Sequence, residues 1–152
     1  MATQERETCF SVGLRKKDYL GLISFGVFVI IVGIVFVANP NLVSDFSSWI
    51  EQMTDEQRLI RPREGFINSA ILFFGLIGLS DFFKAGIRLW IAEARRQALG
   101  DILSGVALIL FAYLIHLYGG HVLTWQMVLA TEAIAVGLLV VLYSIVRYVF
   151  SK

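Results

Sequence analysis

Hydrophobic positions along this chain gather into four long blocks separated by polar segments. The first block, residues 19–38, reads YLGLISFGVFVIIVGIVFVA and carries no charge. At about 1.5 Å per helical residue it can cross a hydrocarbon layer of about 30 Å. Asn39-Pro40 ends it, because proline disfavours helix at the residue before it. The second block, residues 65–85, stays uncharged until Asp81 and Lys84, whose side chains can reach the interface from its end. The third, residues 102–118, closes at Gly119-Gly120, a pair suited to a tight turn. The fourth, residues 126–147, holds one charge before Arg147, and that charge is Glu132. All four are apolar nearly all round, which suits lipid and leaves no polar face for a soluble surface. The pattern predicts an all-α integral membrane protein: a four-transmembrane-helix bundle forming one membrane domain over residues 1–152.

The connecting segments have patterns of their own. Residues 39–64 form the long loop between the first two spans. Within it Phe46, Trp49, Ile50 and Met53 recur at three- and four-residue steps, with Asp45, Ser47, Ser48, Glu51 and Gln52 between them. This predicts a short amphipathic helix at the membrane surface, with Ser44 as N-cap. Thr54-Asp55-Glu56-Gln57 matches a capping box and predicts a second helical turn before Arg61-Pro62. Residues 86–101 lack proline and are rich in helix formers, so the second span is expected to continue as a helix to about Ala98. Gly100 would cap its end, and Asp101 would cap the third span. Residues 119–125 form a turn, and residues 148–152 a tail.

Composition narrows the class. Apolar residues make up 57% of the chain and charged residues 16%, against about 25% charged in soluble domains. A disordered chain and a nucleic-acid binder with a large basic excess are excluded. Residues 1–18 mix three acids with four bases, and the apolar run after them exceeds a signal-peptide core, so the first span is expected to be a retained anchor. Cys9 is the single cysteine and forms no intrachain disulfide.

Charge matters more by position than in total. Both termini, residues 86–101 and the adjoining span-end residues Lys84 and Arg147 fall on one side of a four-span topology, with ten basic residues; the other side has three. The positive-inside rule then places both termini in the cytoplasm. The formal net charge of +1 resolves into +4 on the inner side, −2 on the outer side and Glu132 within the membrane. Tyr19 and Tyr148 fit an inner aromatic belt, and Trp49 and Trp125 an outer one.

The run Gly26–Gly33, followed by Asn39-Pro40, resembles the HdeD-like family of acid-resistance membrane proteins, whose repeated hairpin opens with a glycine-spaced helix ending in proline. Gly75-Leu76-Ile77-Gly78 and Gly105–Leu110 are similar to later parts of that pattern, and the resemblance spans Gly21–Leu114. It implies a helical membrane bundle, and nothing beyond that is carried over. The chain departs from the family in having four spans where six are usual, and in its longer outer loop. A two-plus-two repeat is also visible: Asp18-Tyr19-Leu20-Gly21 and Asp101-Ile102-Leu103-Ser104-Gly105 open the first and third spans.

Few residues here could carry chemistry. A carboxylate at the bilayer centre costs on the order of 3 kcal/mol, so Glu132 is expected to face the bundle or to hold a proton. It could relay a proton or cation, or tie helices together by a hydrogen bond. His116, His121 and Tyr118 lie near the same end of the third span, with His116 expected at a similar depth to Glu132. Two histidines and a glutamate suit a metal, but the five-residue step from His116 to His121 is not the helical spacing of a zinc motif. Glu64, Asn68 and Ser69 form a second outer polar patch, which would make a vestibule if it met Glu132. Asp81 and Lys84 are spaced to pair. Arg88, Arg95 and Arg96 could bind lipid headgroups or simply set topology. Gly26 with Gly33, Gly75 with Gly78, and Ala133 with Gly137 supply small-residue seams for helix packing. Phosphate-loop, nucleophile-elbow and paired-cysteine motifs are absent, and no cofactor is implied.

The leading reading is a multi-pass cell-membrane protein that is not an enzyme, serving as an accessory subunit or a stress-related membrane protein. Lipid is its expected surroundings, with a homo-oligomer or larger membrane complex as the expected assembly and no nucleic-acid partner. The alternatives are a small proton or cation transporter or channel using Glu132 with His116, and a metal-dependent membrane enzyme at the same cluster.

Overall fold

A computed structural model of the protein describes residues 18–56, 62–90 and 95–149. Every element among them is helical: α1 (Asp18–Ala38), α2 (Leu42–Glu56), α3 (Glu64–Trp90), α4 (Arg95–Gly119) and α5 (Trp125–Val149). Four of these, α1, α3, α4 and α5, are long and apolar enough to cross a membrane. The 27 residues of α3 extend for about 40 Å, more than a hydrocarbon layer is thick.

The spans lie in the order α1, α3, α4, α5, with α3 and α4 sharing by far the largest interface. Among the described residues α1 and α5 share no comparable contact. Chain direction alternates along the row. One end of the row holds α2 and the α4–α5 turn (the α2 end). The other, the basic end, holds Arg88, Arg95 and Arg147.

Buried positions recur along α3 and α4 at helical steps. On α3 they include Ile67, Gly78, Asp81 and Ala85, and on α4 Ala98, Gly105, Ala112 and Ile115. This is the heptad spacing of a coiled-coil seam, here antiparallel. Between helices in lipid, close packing replaces the hydrophobic effect as the attraction, and small residues permit it. Ala85 and Ala98 are almost fully buried. A Cβ on Gly78 would come within 2.8 Å of the Ile109 side chain and 3.0 Å of the Gly105 carbonyl; one on Gly105 would come within 2.9 Å of the Gly78 carbonyl. Phe74 and Phe111 meet edge-on across the seam at 4.8 Å. The other glycines proposed for packing behave differently: Gly26, Gly33, Gly75 and Gly137 face open space.

Several expected boundaries move. The second span does not continue to Ala98. Helix α3 ends at Trp90, and Ala98 and Gly100 already belong to α4. The physical reason is pairing: α4 packs back on α3, so that Ala85 and Ala98 are buried along one seam and Asp101 meets Arg88. Asp101 is therefore inside α4 rather than its cap. Ser44 is not the N-cap of α2, which starts at Leu42; the Asp45 N–H bonds the Asn41 carbonyl at 2.9 Å and the Ser44 hydroxyl donates to the same oxygen at 2.8 Å. Thr54 opens no new turn, because it lies within α2 and donates to the Ile50 carbonyl at 2.9 Å; Gln57 of that expected box lies outside the described residues.

At the α4–α5 turn, helix α4 runs through Gly119, and the left-handed residue is His121 (φ 62°) rather than a glycine. The Val122 N–H reaches the Leu117 carbonyl at 3.0 Å and the His121 N–H the Tyr118 carbonyl at 3.2 Å, the paired bonds of a Schellman ending. Thr124 then caps α5: its carbonyl accepts from Val128 and its hydroxyl faces the Met127 N–H at 3.4 Å.

The seam sets an opposed pair of outcomes. Gly78→Ala and Gly105→Ala force backbone or side-chain displacement and lower stability by about 1–3 kcal/mol. Gly33→Ala meets open space and raises helix stability by up to about 1 kcal/mol. Unfolding of each variant in detergent micelles measures the difference.

Candidate functional site

Polar side chains within or beside the spans collect at three places. The first is the basic end of the α3–α4 seam. Asp81 is 7% exposed there, although it is ionisable. It forms an ion pair with Lys84 one turn on, and its Oδ2 accepts a 2.7 Å hydrogen bond from the Ser104 hydroxyl of α4. Two turns on from Asp81, Arg88 Nη1 stands 2.7 Å from Asp101 Oδ2. This second contact is close but not aligned as a hydrogen bond, and Arg88 Nε and Asp101 Oδ2 are buried without a hydrogen-bond partner. Both carboxylates and both cations are thus taken up within the hairpin. Asp81 lies about 25 Å along α3 from Glu64, a distance close to the thickness of a hydrocarbon layer. Partial dehydration strengthens the pairing there and makes a lone charge expensive.

Arg88 was a candidate for lipid headgroups. Its side chain is only 22% exposed and sits against Asp101 within the hairpin. The side chains of Arg95 and Arg96 lie outside the described residues; both positions belong to the first turn of α4.

The second place is the joint between α1, α2 and α3. Asn39 Oδ1 accepts from the Asn41 N–H at 3.2 Å, holding the turn over Pro40. Its Nδ2 donates at 3.1 Å to Ser69 Oγ, which in turn donates to the Gly65 carbonyl at 2.8 Å. Asp45 pairs with Arg63 at 3.3 Å. Gly65 admits this crowding, since a Cβ there would lie 3.1 Å from Asp45 Oδ2 and 3.2 Å from Asn39 Nδ2. Below the polar joint, Phe66 stacks with Phe46 at 5.8 Å and with Trp49 at 5.7 Å, holding α2 to the first turn of α3. The expected patch of Glu64, Asn68 and Ser69 is therefore split. Ser69 is buried against α1, whereas Glu64 and Asn68 are exposed. It does not meet Glu132, because α3 lies between α1 and α4 while α5 packs on α4.

The third place is Glu132 on α5. It is half-buried, and four residues after Val128, which is fully buried on the same helix face. Its Oε2 is occluded and has no hydrogen-bond partner. His116 does not share its level. Tyr118 and Trp125 pack edge-on at 5.7 Å and fix the α4–α5 register. Seven residues inward from Trp125 lies Glu132, and seven inward from Tyr118 lies Phe111. His116 is thus about 7 Å nearer the α2 end than Glu132, and it is exposed. His121 occupies the left-handed turn position and is exposed as well. Among the described residues no group of three or more His, Cys, Asp or Glu side chains converges as metal ligands would.

Sequence reading missed Asn39 and Ser104 as polar partners. A polar residue directly after a span, as in Asn39-Pro40, is a signal of a joint that could have pointed to the first; for Ser104 only the α3–α4 register supplies the signal. The chain matches no family model, no curated protein and no solved structure.

Removing one partner of the hairpin network tests its role. Asp81→Ala strands Lys84 and the Ser104 hydroxyl and lowers stability by about 2 kcal/mol or more, whereas Asp81→Leu with Lys84→Met together recovers most of that loss. Denaturant unfolding of the purified protein in micelles reads both.

Proposed function

We propose that the chain is a multi-pass membrane protein that acts by packing against other membrane helices, as an accessory subunit or stress-related component, rather than by turning over a substrate. The observation that supports this reading most directly is the open small-residue face of α1. Gly26 and Gly33 are seven residues apart, lie on one face and have no neighbour within 4 Å. The opposite face of α1 is already used, since Ile31 and Val35 are buried against α3. Glycines that serve no internal contact leave a surface on which a further helix can approach closely. A relationship to the HdeD-like family, whose members carry such a glycine-spaced first helix, belongs to the same reading.

We place both termini in the cytoplasm on the distribution of basic residues, and the exposed apolar positions Val43 and Ile50 of α2 on the outer membrane surface. A second reading draws on Glu132. An occluded carboxyl oxygen without a partner is what a proton or cation site presents in its resting state, and α4 is the helix it faces. In this reading Glu132 acts without His116.

The two readings separate experimentally. If α1 is a docking face, Gly33→Ile keeps the folded chain intact while recovery of co-purifying membrane partners falls several-fold; unchanged recovery contradicts it. If Glu132 is a relay, proteoliposomes of the parent chain conduct protons or cations, and Glu132→Gln abolishes that flux. A parent chain without flux dismisses the relay.

A further inference from the structure

A groove of about 260 Å³ lies between α4 and α5 in the half of the molecule nearer the basic end. Gly100, Ser104 and Ala107 of α4 and Val136, Leu139 and Tyr143 of α5 line it. Both helices are membrane-spanning by length and composition, so the groove opens sideways at hydrocarbon depth. Water is a poor occupant, because the walls are almost wholly apolar and the Ser104 hydroxyl is already committed to Asp81. An empty groove forfeits dispersion contacts along its length.

The surrounding charge selects the occupant. Arg147 is exposed and follows Tyr143 by four residues, so it stands on the same face of α5 one turn beyond the groove. The first turn of α4 opens with Arg95-Arg96 at the same end. Lys84 and Arg88 are neutralised by Asp81 and Asp101. A comparable groove between α1 and α3 lies at the α2 end, roofed by Leu42 and Phe66, where Glu51 and Glu64 are exposed. Among the described residues its exposed cation, Arg63, is paired with Asp45.

We propose that the α4–α5 groove holds one acyl chain of an anionic phospholipid from the leaflet at the basic end, with its phosphate near Arg147. The inference rests on the placement of the chain in a bilayer and is independent of any protein partner on α1.

The test uses the full chain purified in detergent, titrated separately with phosphatidylglycerol and phosphatidylcholine, with bound lipid counted by native mass spectrometry. The expected result is one phosphatidylglycerol per chain, held at least fivefold more tightly than phosphatidylcholine. Arg147→Gln should weaken phosphatidylglycerol about fivefold, equivalent to about 1 kcal/mol for one basic side chain at the surface. It should leave phosphatidylcholine unchanged. Ala107→Phe fills the groove and should remove both lipids, whereas Ala130→Phe on the exposed side of α5 should not. Equal binding of the two lipids by the parent chain overturns the proposal. So does an Arg147→Gln variant with unaltered selectivity, or a dimer in place of the lipid adduct. Arg147 is exposed and outside the packed seam, so its variant reports even if Ala107→Phe fails to fold. A chain that enters the membrane fraction and binds neither lipid overturns the lipid site alone; a chain that stays out of the membrane fraction overturns the bilayer placement beneath it.

Discussion

Gly78 and Gly105 bring the backbones of α3 and α4 so close that neither position has room for a methyl group without displacement. In lipid no hydrophobic effect drives one apolar helix onto another, so attraction depends on how many atoms can touch. This contact fixes the antiparallel register of the hairpin. From that register follow the edge-on meeting of Phe74 and Phe111, the shared seam of Ala85 and Ala98, and the reach of Ser104 to Asp81. The flanking spans depend on it in turn, since α1 packs on α3 and α5 on α4.

Polar groups divide according to whether the hairpin can satisfy them. Asp81, Lys84, Arg88 and Asp101 gather at one end of the seam, where the pairing limits the penalty for leaving water. Asn39 and Ser69 serve a different purpose at the α2 end, turning the chain over Pro40 and tying α1 to α3. Glu132 belongs to neither group. It lies on the α4–α5 side with one occluded carboxyl oxygen unsatisfied, and a buried polar atom without a partner calls for a physical account beyond packing. The outward faces of α1 and α5 carry mostly exposed apolar residues, so the molecule has a tightly built centre and open flanks.

Much of the fold was legible in the sequence because its strongest signal is local. The uncharged run at residues 19–38 becomes α1 (Asp18–Ala38) almost residue for residue, and the three- and four-residue steps of Phe46, Trp49 and Met53 become α2. Pairing was not legible. Gly33 and Gly78 look alike in a string of apolar residues, yet one faces open space and the other the Gly105 carbonyl. Asp101 resembles a helix cap because charges usually mark span ends; its pairing with Arg88 depends on a return of the chain that no local propensity announces. The expected vestibule failed for a related reason: Ser69 and Glu132 occupy helices two places apart in the row, and the order of helices is not written in any one of them. Glu132 itself stood out in the sequence because one charge in a long apolar block needs no partner to be noticed.

The central claim is that an antiparallel α3–α4 seam is the fixed core of the protein. Disulfide trapping in native membranes tests it most directly. The side chain of Ile67 lies 3.1 Å from where a Cβ on Gly119 would stand, close enough for two introduced cysteines to bond. In a Cys9→Ser background, Ile67→Cys with Gly119→Cys should form an intramolecular disulfide rapidly and nearly completely under mild oxidation. Ile67→Cys with Leu138→Cys on α5 should not. Failure of the first pair to cross-link, or equal cross-linking of the second, would contradict the account.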